Sequence, residues 1–205
     1  RTLRAMSLRR ATGFPGLTAL TALTVLLSLV GALFVGAAPA HATDVDRRIG
    51  YACSSDLGSG SSDVRIRVTI PDRVRRGVEV PARRVRFAIK VPSAMVDTMR
   101  TYGVTHVSAV GRARYTVGSL RLPIRRLQIP ERSVPASGGM TLTGSGRAAA
   151  FTPTETGTFR VKVTQSLTAT ATARGGLAGS GTSADLTCAV RPGESRLLAT
   201  VRVVR

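Results

Sequence analysis

Val64-Arg-Ile-Arg-Val-Thr-Ile70 decides the fold class. Val64, Ile66, Val68 and Ile70 fall on one face of an extended chain, and Arg65, Arg67 and Thr69 on the other. That period of two marks a half-buried β-strand. Pro71-Asp72 ends it, because proline cannot donate to a strand ladder. Arg84-Val-Arg-Phe-Ala-Ile-Lys-Val91 repeats the scheme, with Val85, Phe87, Ile89 and Val91 inward and Arg84, Arg86 and Lys90 outward.

Downstream, Pro92 closes the second strand and Ser93 offers a side-chain cap for a short helix. Met95, Val96, Met99 and Tyr102 recur at helical spacing as a core-facing stripe, and Gly103 supplies the stop. Residues 104–117, 120–129 and 147–152 read as further strands, with a loop marked by Pro130, Pro135 and Gly138-Gly139. Residues 158–172 read as one long threonine-rich strand, in which Phe159, Val161 and Val163 alternate with Arg160, Lys162 and Thr164. A Gly-rich turn over 174–183, a strand over 184–190, the Arg191-Pro-Gly193 turn and a last strand over 197–204 complete the chain. Upstream, residues 43–50 read as a polar lead-in. Residues 51–62 then hold a first strand and a Gly/Ser-rich loop. About eight strands with short turns and one short helix predict an all-β domain over residues 51–205, an immunoglobulin-like or related β-sandwich.

The N-terminus predicts export. Arg1, Arg4, Arg9 and Arg10 precede an uncharged apolar run over 17–35, and Ala40-His41-Ala42 forms a small-residue cleavage site before Thr43. Residues 1–42 are therefore read as a signal peptide, an N-terminal signal helix. The rival is an uncleaved anchor, since the run is long enough to span a bilayer; Pro39 and the small-residue exit favour cleavage. In an exported chain the two cysteines, Cys53 and Cys188, read as one disulfide.

The net charge is +19; the leader's four arginines leave with it, which lowers the figure to +15. Such a surplus predicts salt-sensitive attraction to polyanions and says nothing about fold. Arg65, Arg67, Arg84, Arg86, Lys90, Arg160 and Lys162 are the candidate contacts, because alternation turns all seven outward. If their strands share a sheet, one face becomes a basic platform. An anionic cell-wall polymer or another exported protein is the expected partner, with membrane contact only through an uncleaved N-terminal segment. Dedicated nucleic-acid binding is disfavoured: the chain has no Trp and no Asn, so base stacking and amide readout have few residues to use.

Catalytic chemistry finds little support. Beyond the leader only His106 remains as a histidine, and no G-x-S-x-G elbow, Cys/His metal cluster or phosphate-cradling glycine motif occurs. The expectation is a non-enzymatic module without catalytic residues, metal or cofactor. A structural or protein-binding module is the alternative, and a hydrolase ranks last.

Several stretches together resemble a family of secreted actinobacterial proteins known as a domain of unknown function. They are Tyr51-Ala-Cys53, Ile70-Pro71 with Gly77, the Met95 to Gly103 helix, and Val107-Ser-Ala-Val-Gly111. Ile129-Pro-Glu-Arg-Ser-Val-Pro135, Phe151-Thr-Pro-Thr-Glu-Thr-Gly157, Leu186-Thr-Cys188-Ala-Val-Arg-Pro-Gly193 and Leu198-Ala-Thr-Val-Arg-Val203 continue the likeness in order. The resemblance implies an exported, disulfide-bridged β domain and no activity.

Overall fold

The structure, a computed structural model, describes residues 41–56 and 58–205. The predicted leader up to Ala40 lies outside the described residues. In chain order the strands are β1 (Ala42–Ser55), β2 (Gly58–Pro71), β3 (Arg73–Arg75), β4 (Arg83–Val91), β5 (His106–Val117) and β6 (Leu120–Ser133). They continue as β7 (Met140–Ala148), β8 (Gly157–Val163), β9 (Ser166–Arg174), β10 (Thr182–Val190) and β11 (Leu197–Val204). Helix α1 (Ser93–Thr101) stands between β4 and β5.

Strands β5-β6-β7-β4-β2-β1-β10-β9 follow one another in a sheet, and β9 then pairs back onto β5 from His106↔Arg174 to Arg112↔Thr168. The result is a closed antiparallel barrel of eight strands. It overturns the expected immunoglobulin-like sandwich. Both architectures bury one face of each strand, so period-two alternation fits either. What separates them is the β5–β9 pairing, which removes both sheet edges.

β5 is also the branch point. Its last residues, Tyr115–Val117, pair with Val163–Val161 of β8 instead of β9, and β11 and then β3 extend from β8. Irregular register at Val107/Ala109 and Gly111/Ala113 bends β5 enough to serve both neighbours. The arm of β8, β11 and β3 folds onto one end of the barrel. Val161, Leu198 and Val201 there share one buried cluster with Val45, Ile49, Ile70 and Tyr115. Each such side chain contributes about 1.5–3 kcal/mol on leaving water, so this end is closed by a packed core.

Local expectations fared unevenly. Residues 43–50, read as a lead-in, form the first half of β1, and the Gly/Ser stretch opens β2. Their backbones pair from Ala42↔Pro71 to Ser55↔Gly58, and ladder bonds of that kind do not depend on apolar side chains. Most of β7 was missed because its inward face carries Gly144 and Gly146. The threonine-rich run is two strands, broken where the Thr164 hydroxyl donates to the Arg114 carbonyl and Gln165 Nε2 donates to the Val190 carbonyl. Helix α1 forms, with Pro92 rather than Ser93 at its cap and Gly103, at φ 70°, donating to the Arg100 carbonyl.

Close approach explains Gly144. It lies opposite Phe87, and a Cβ built on it would stand 2.3 Å from that ring and 2.4 Å from the Gln128 carbonyl oxygen. Gly144→Ala should therefore cost about 1–3 kcal/mol by overpacking. A thermal melt checks this, with an expected loss of roughly 2–10 °C; an unchanged midpoint would contradict the packing.

Candidate functional site

The barrel is not filled. Its interior holds an apolar cavity of about 1150 Å³ that is partly open to solvent. On β2 and β4 the inward positions are large, namely Val64, Ile66, Phe87, Ile89 and Val91. Facing them are small residues. Ala109 of β5, Ala171 of β9 and Ala184 of β10 stand in one cross-strand row, and Gly111 and Ala169 form the next pair. Eight strands give an interior just wide enough for side chains to fill or to hold one small ligand. Here one wall contributes little more than methyl groups, and the shortfall is the cavity.

Helix α1 and the Gly-rich turn after β9 line one mouth of this space. Met95 and Met99 of α1, Tyr102 and Leu177 all border it. Val96 is fully buried, whereas Met95 is 40% exposed, Tyr102 54% and Leu177 83%. The predicted core-facing stripe is thus anchored by Val96, while its other members face the cavity mouth or solvent. The helix exit and the turn are tied together: the Leu177 amide donates to the Tyr102 carbonyl, and the Thr105 amide to that of Arg174.

Cys53 and Cys188 form the expected disulfide, directly opposed across β1 and β10. Both line the cavity. Tyr51 and Tyr115 lie at the packed end; burial pushes each phenol up to about 12, with the Arg196 cation opposing the shift at Tyr51. They stay protonated at physiological pH, and the Tyr115 hydroxyl donates to the Ala149 carbonyl.

The seven candidate cationic contacts are divided between two places. Arg65, Arg67, Arg84, Arg86 and Lys90 share the outer wall of the adjacent strands β2 and β4, with Arg67 opposite Arg86. Asp46 accepts from Arg65 Nε at 2.6 Å and from Arg67 Nε at 3.1 Å. Hydrogen bonding from Arg65, and then Arg67, holds that carboxyl below its usual range. Arg160 and Lys162 sit instead on β8, where they line a separate cleft of about 500 Å³ with Arg121 and Arg196.

Sequence reasoning missed one feature of the outer wall. Arg84, Arg147 and Arg125 stand in register across β4, β7 and β6. Like charges directly opposed on one face repel, and none of the three has an ion-pair partner among the described residues. The register of β7 was the needed signal, and that strand was not legible.

Of the remaining candidates, Ala42 and Thr43 lie in β1 and pair with Pro71 and Ile70. His106 opens β5, its Nδ1 3.0 Å from the Thr105 hydroxyl. Among the described residues no group of three His, Cys, Asp or Glu side chains could hold a metal ion, and no helix is long and apolar enough to cross a membrane.

Residues 50–199, from the middle of β1 into β11, match a family of unknown function (DUF6801). No curated protein and no solved structure matches the chain.

Proposed function

Because the chain belongs to a family of unknown function (DUF6801), its role must be read from its own geometry, and we propose that it is an exported, non-enzymatic binding protein that holds an apolar ligand inside the barrel. The observation that carries this reading is the apolar cavity of about 1150 Å³. Ligand cavities usually measure about 300–1,000 Å³, so the space would suit a large or elongated molecule. The lining is chiefly Val, Ile, Leu, Ala and Met, so a ligand that brings its own carbon chain would be stabilised by about 25 cal/mol per Å² of apolar surface it buries there.

Export fits the disulfide, since such bonds belong to oxidising, extracytoplasmic compartments. The leader over residues 1–42 would deliver the chain there, with Thr43 as the mature N-terminus. Organic extraction of protein purified from its native compartment, followed by mass spectrometry, tests the main reading. A stoichiometric apolar molecule is the expected result; an empty extract together with no uptake of added lipids would refute it.

A second reading concerns the exterior. The Arg84-Arg147-Arg125 row supports adhesion to an anionic wall polymer, whose repeated charges would relieve the repulsion within the row. Retention on purified polymer should fall steeply from low salt to about 1 M, where screening extends only about 3 Å. The variant R84Q/R125Q/R147Q should lose most of the low-salt retention. Equal retention by variant and parent would remove the row from this role.

A further inference from the structure

Two arginines, Arg83 and Arg114, border the cavity; Arg114 is exposed, whereas Arg83 is partly buried. Arg83 is the first residue of β4 and shares the inward parity of Val85, Phe87 and Ile89. Its Nε is buried and has no hydrogen-bond partner among the described residues. The other partly buried arginines in ion pairs are well provided for. Arg100 pairs with Asp97 and donates to the Pro135 carbonyl, and Arg191 donates to both Asp63 and Glu194. Arg83 has no ion pair with any described residue. A buried donor on a cation is costly to leave unmade, and native proteins rarely do so without an external partner.

Resting on the cavity reading above, we propose that the ligand is a linear amphiphile with one anionic head group, carboxylate or phosphate, held by Arg83. A guanidinium is planar, stays charged at any physiological pH and matches both oxyanions through paired N–H donors. Arg83 and Val91 mark opposite ends of β4, roughly 26 Å apart at about 3.3 Å per residue. The strand after Arg83 runs along the cavity wall toward α1, whose Met95 and Met99 border the mouth at the other end. The head group therefore lies at the Arg83 end and the chain extends toward the helix. Methionine suits that end, since its flexible thioether adapts to chain ends of differing length.

Calorimetric titration of the oxidised full chain with dodecanoate, dodecyl phosphate and dodecanol tests the assignment. At least one of the two anions should bind about tenfold or more tighter than the neutral alcohol, the step expected for a charge-assisted hydrogen bond. Whichever anion prevails identifies the head group. Arg83→Met should bring the anion-to-alcohol ratio close to one while leaving the alcohol's affinity nearly unchanged, and Arg83→Lys should retain part of the preference. Equal binding of all three probes by the parent protein overturns the inference and leaves the cavity reading standing, without recourse to any variant. A preference that survives in Arg83→Met, or in Arg83→Gln should Met not fold, also overturns it. Failure of every probe to bind overturns both.

Discussion

Replacing Ala171 with phenylalanine, together with Ala169→Leu, will abolish uptake of apolar ligands without unfolding the barrel. Ala171 lies between Ala109 and Ala184 in register, and Ala169 lies between Gly111 and Leu186. All six line the cavity. The introduced side chains would therefore enter open space rather than a packed core. Burying them against apolar wall should add about 2–4 kcal/mol of stability in all, less the rotamer entropy that they lose. Affinity for a long-chain probe should fall by roughly 100-fold or more, since burial of each methylene is worth about 0.8 kcal/mol and only a few need be displaced. In the parent protein, the same figure predicts roughly fourfold tighter binding per added methylene until the chain outgrows the barrel. Titration of a graded series of fatty acids and their alcohols reads both effects. A filled variant that binds like the parent would place the ligand elsewhere. A variant that melts several degrees lower would mean that the space is not available.

Removing the disulfide should produce the largest loss of stability. Cys53 and Cys188 are separated by 135 residues, and cross-linking a loop of that length restricts the unfolded chain by about 5 kcal/mol on entropic grounds, less any native strain. The location raises the stakes, because β1 and β10 are joined only from Tyr51↔Val190 to Ser54↔Thr187. That short seam must hold for the barrel to stay closed. Cys53→Ala/Cys188→Ala, or mild reduction, should lower the melting midpoint by roughly 10–20 °C. Urea unfolding of oxidised and reduced protein gives the free energy directly. A difference below about 1 kcal/mol would show that the remaining ladder closes the barrel unaided. Ligand added in excess should recover part of the loss, because binding to the native state alone shifts the unfolding equilibrium.

Much of the local structure was legible. Alternation in residues 64–70 and 84–91 assigned inward and outward faces that β2 and β4 keep. Compartment logic paired the cysteines correctly, and the helix was read from Met95, Val96, Met99 and Tyr102. The failures share a cause. β7 and the first half of β1 carry glycine or polar residues where a half-buried strand is expected to carry apolar ones, and both are strands because neighbours pair with their backbones. The cavity left a faint trace as alanines alternating with threonines in Leu167-Thr-Ala-Thr-Ala-Thr-Ala173. That trace acquires meaning only once the alanines are known to face a closed interior.

The sequence by itself determined which side chains each strand turns inward, where the helix stops, which cysteines join, and how positive the exterior is. These follow from period, capping, compartment and composition, all local or additive properties. The tertiary structure alone decided that the sheet closes, since β5 meets β9 by a pairing between distant segments that no local pattern encodes. It alone set the volume inside, which depends on small residues from several strands meeting at one level. It also set Arg83 in a chiefly apolar lining, its Nε buried and without a hydrogen-bond partner among the described residues.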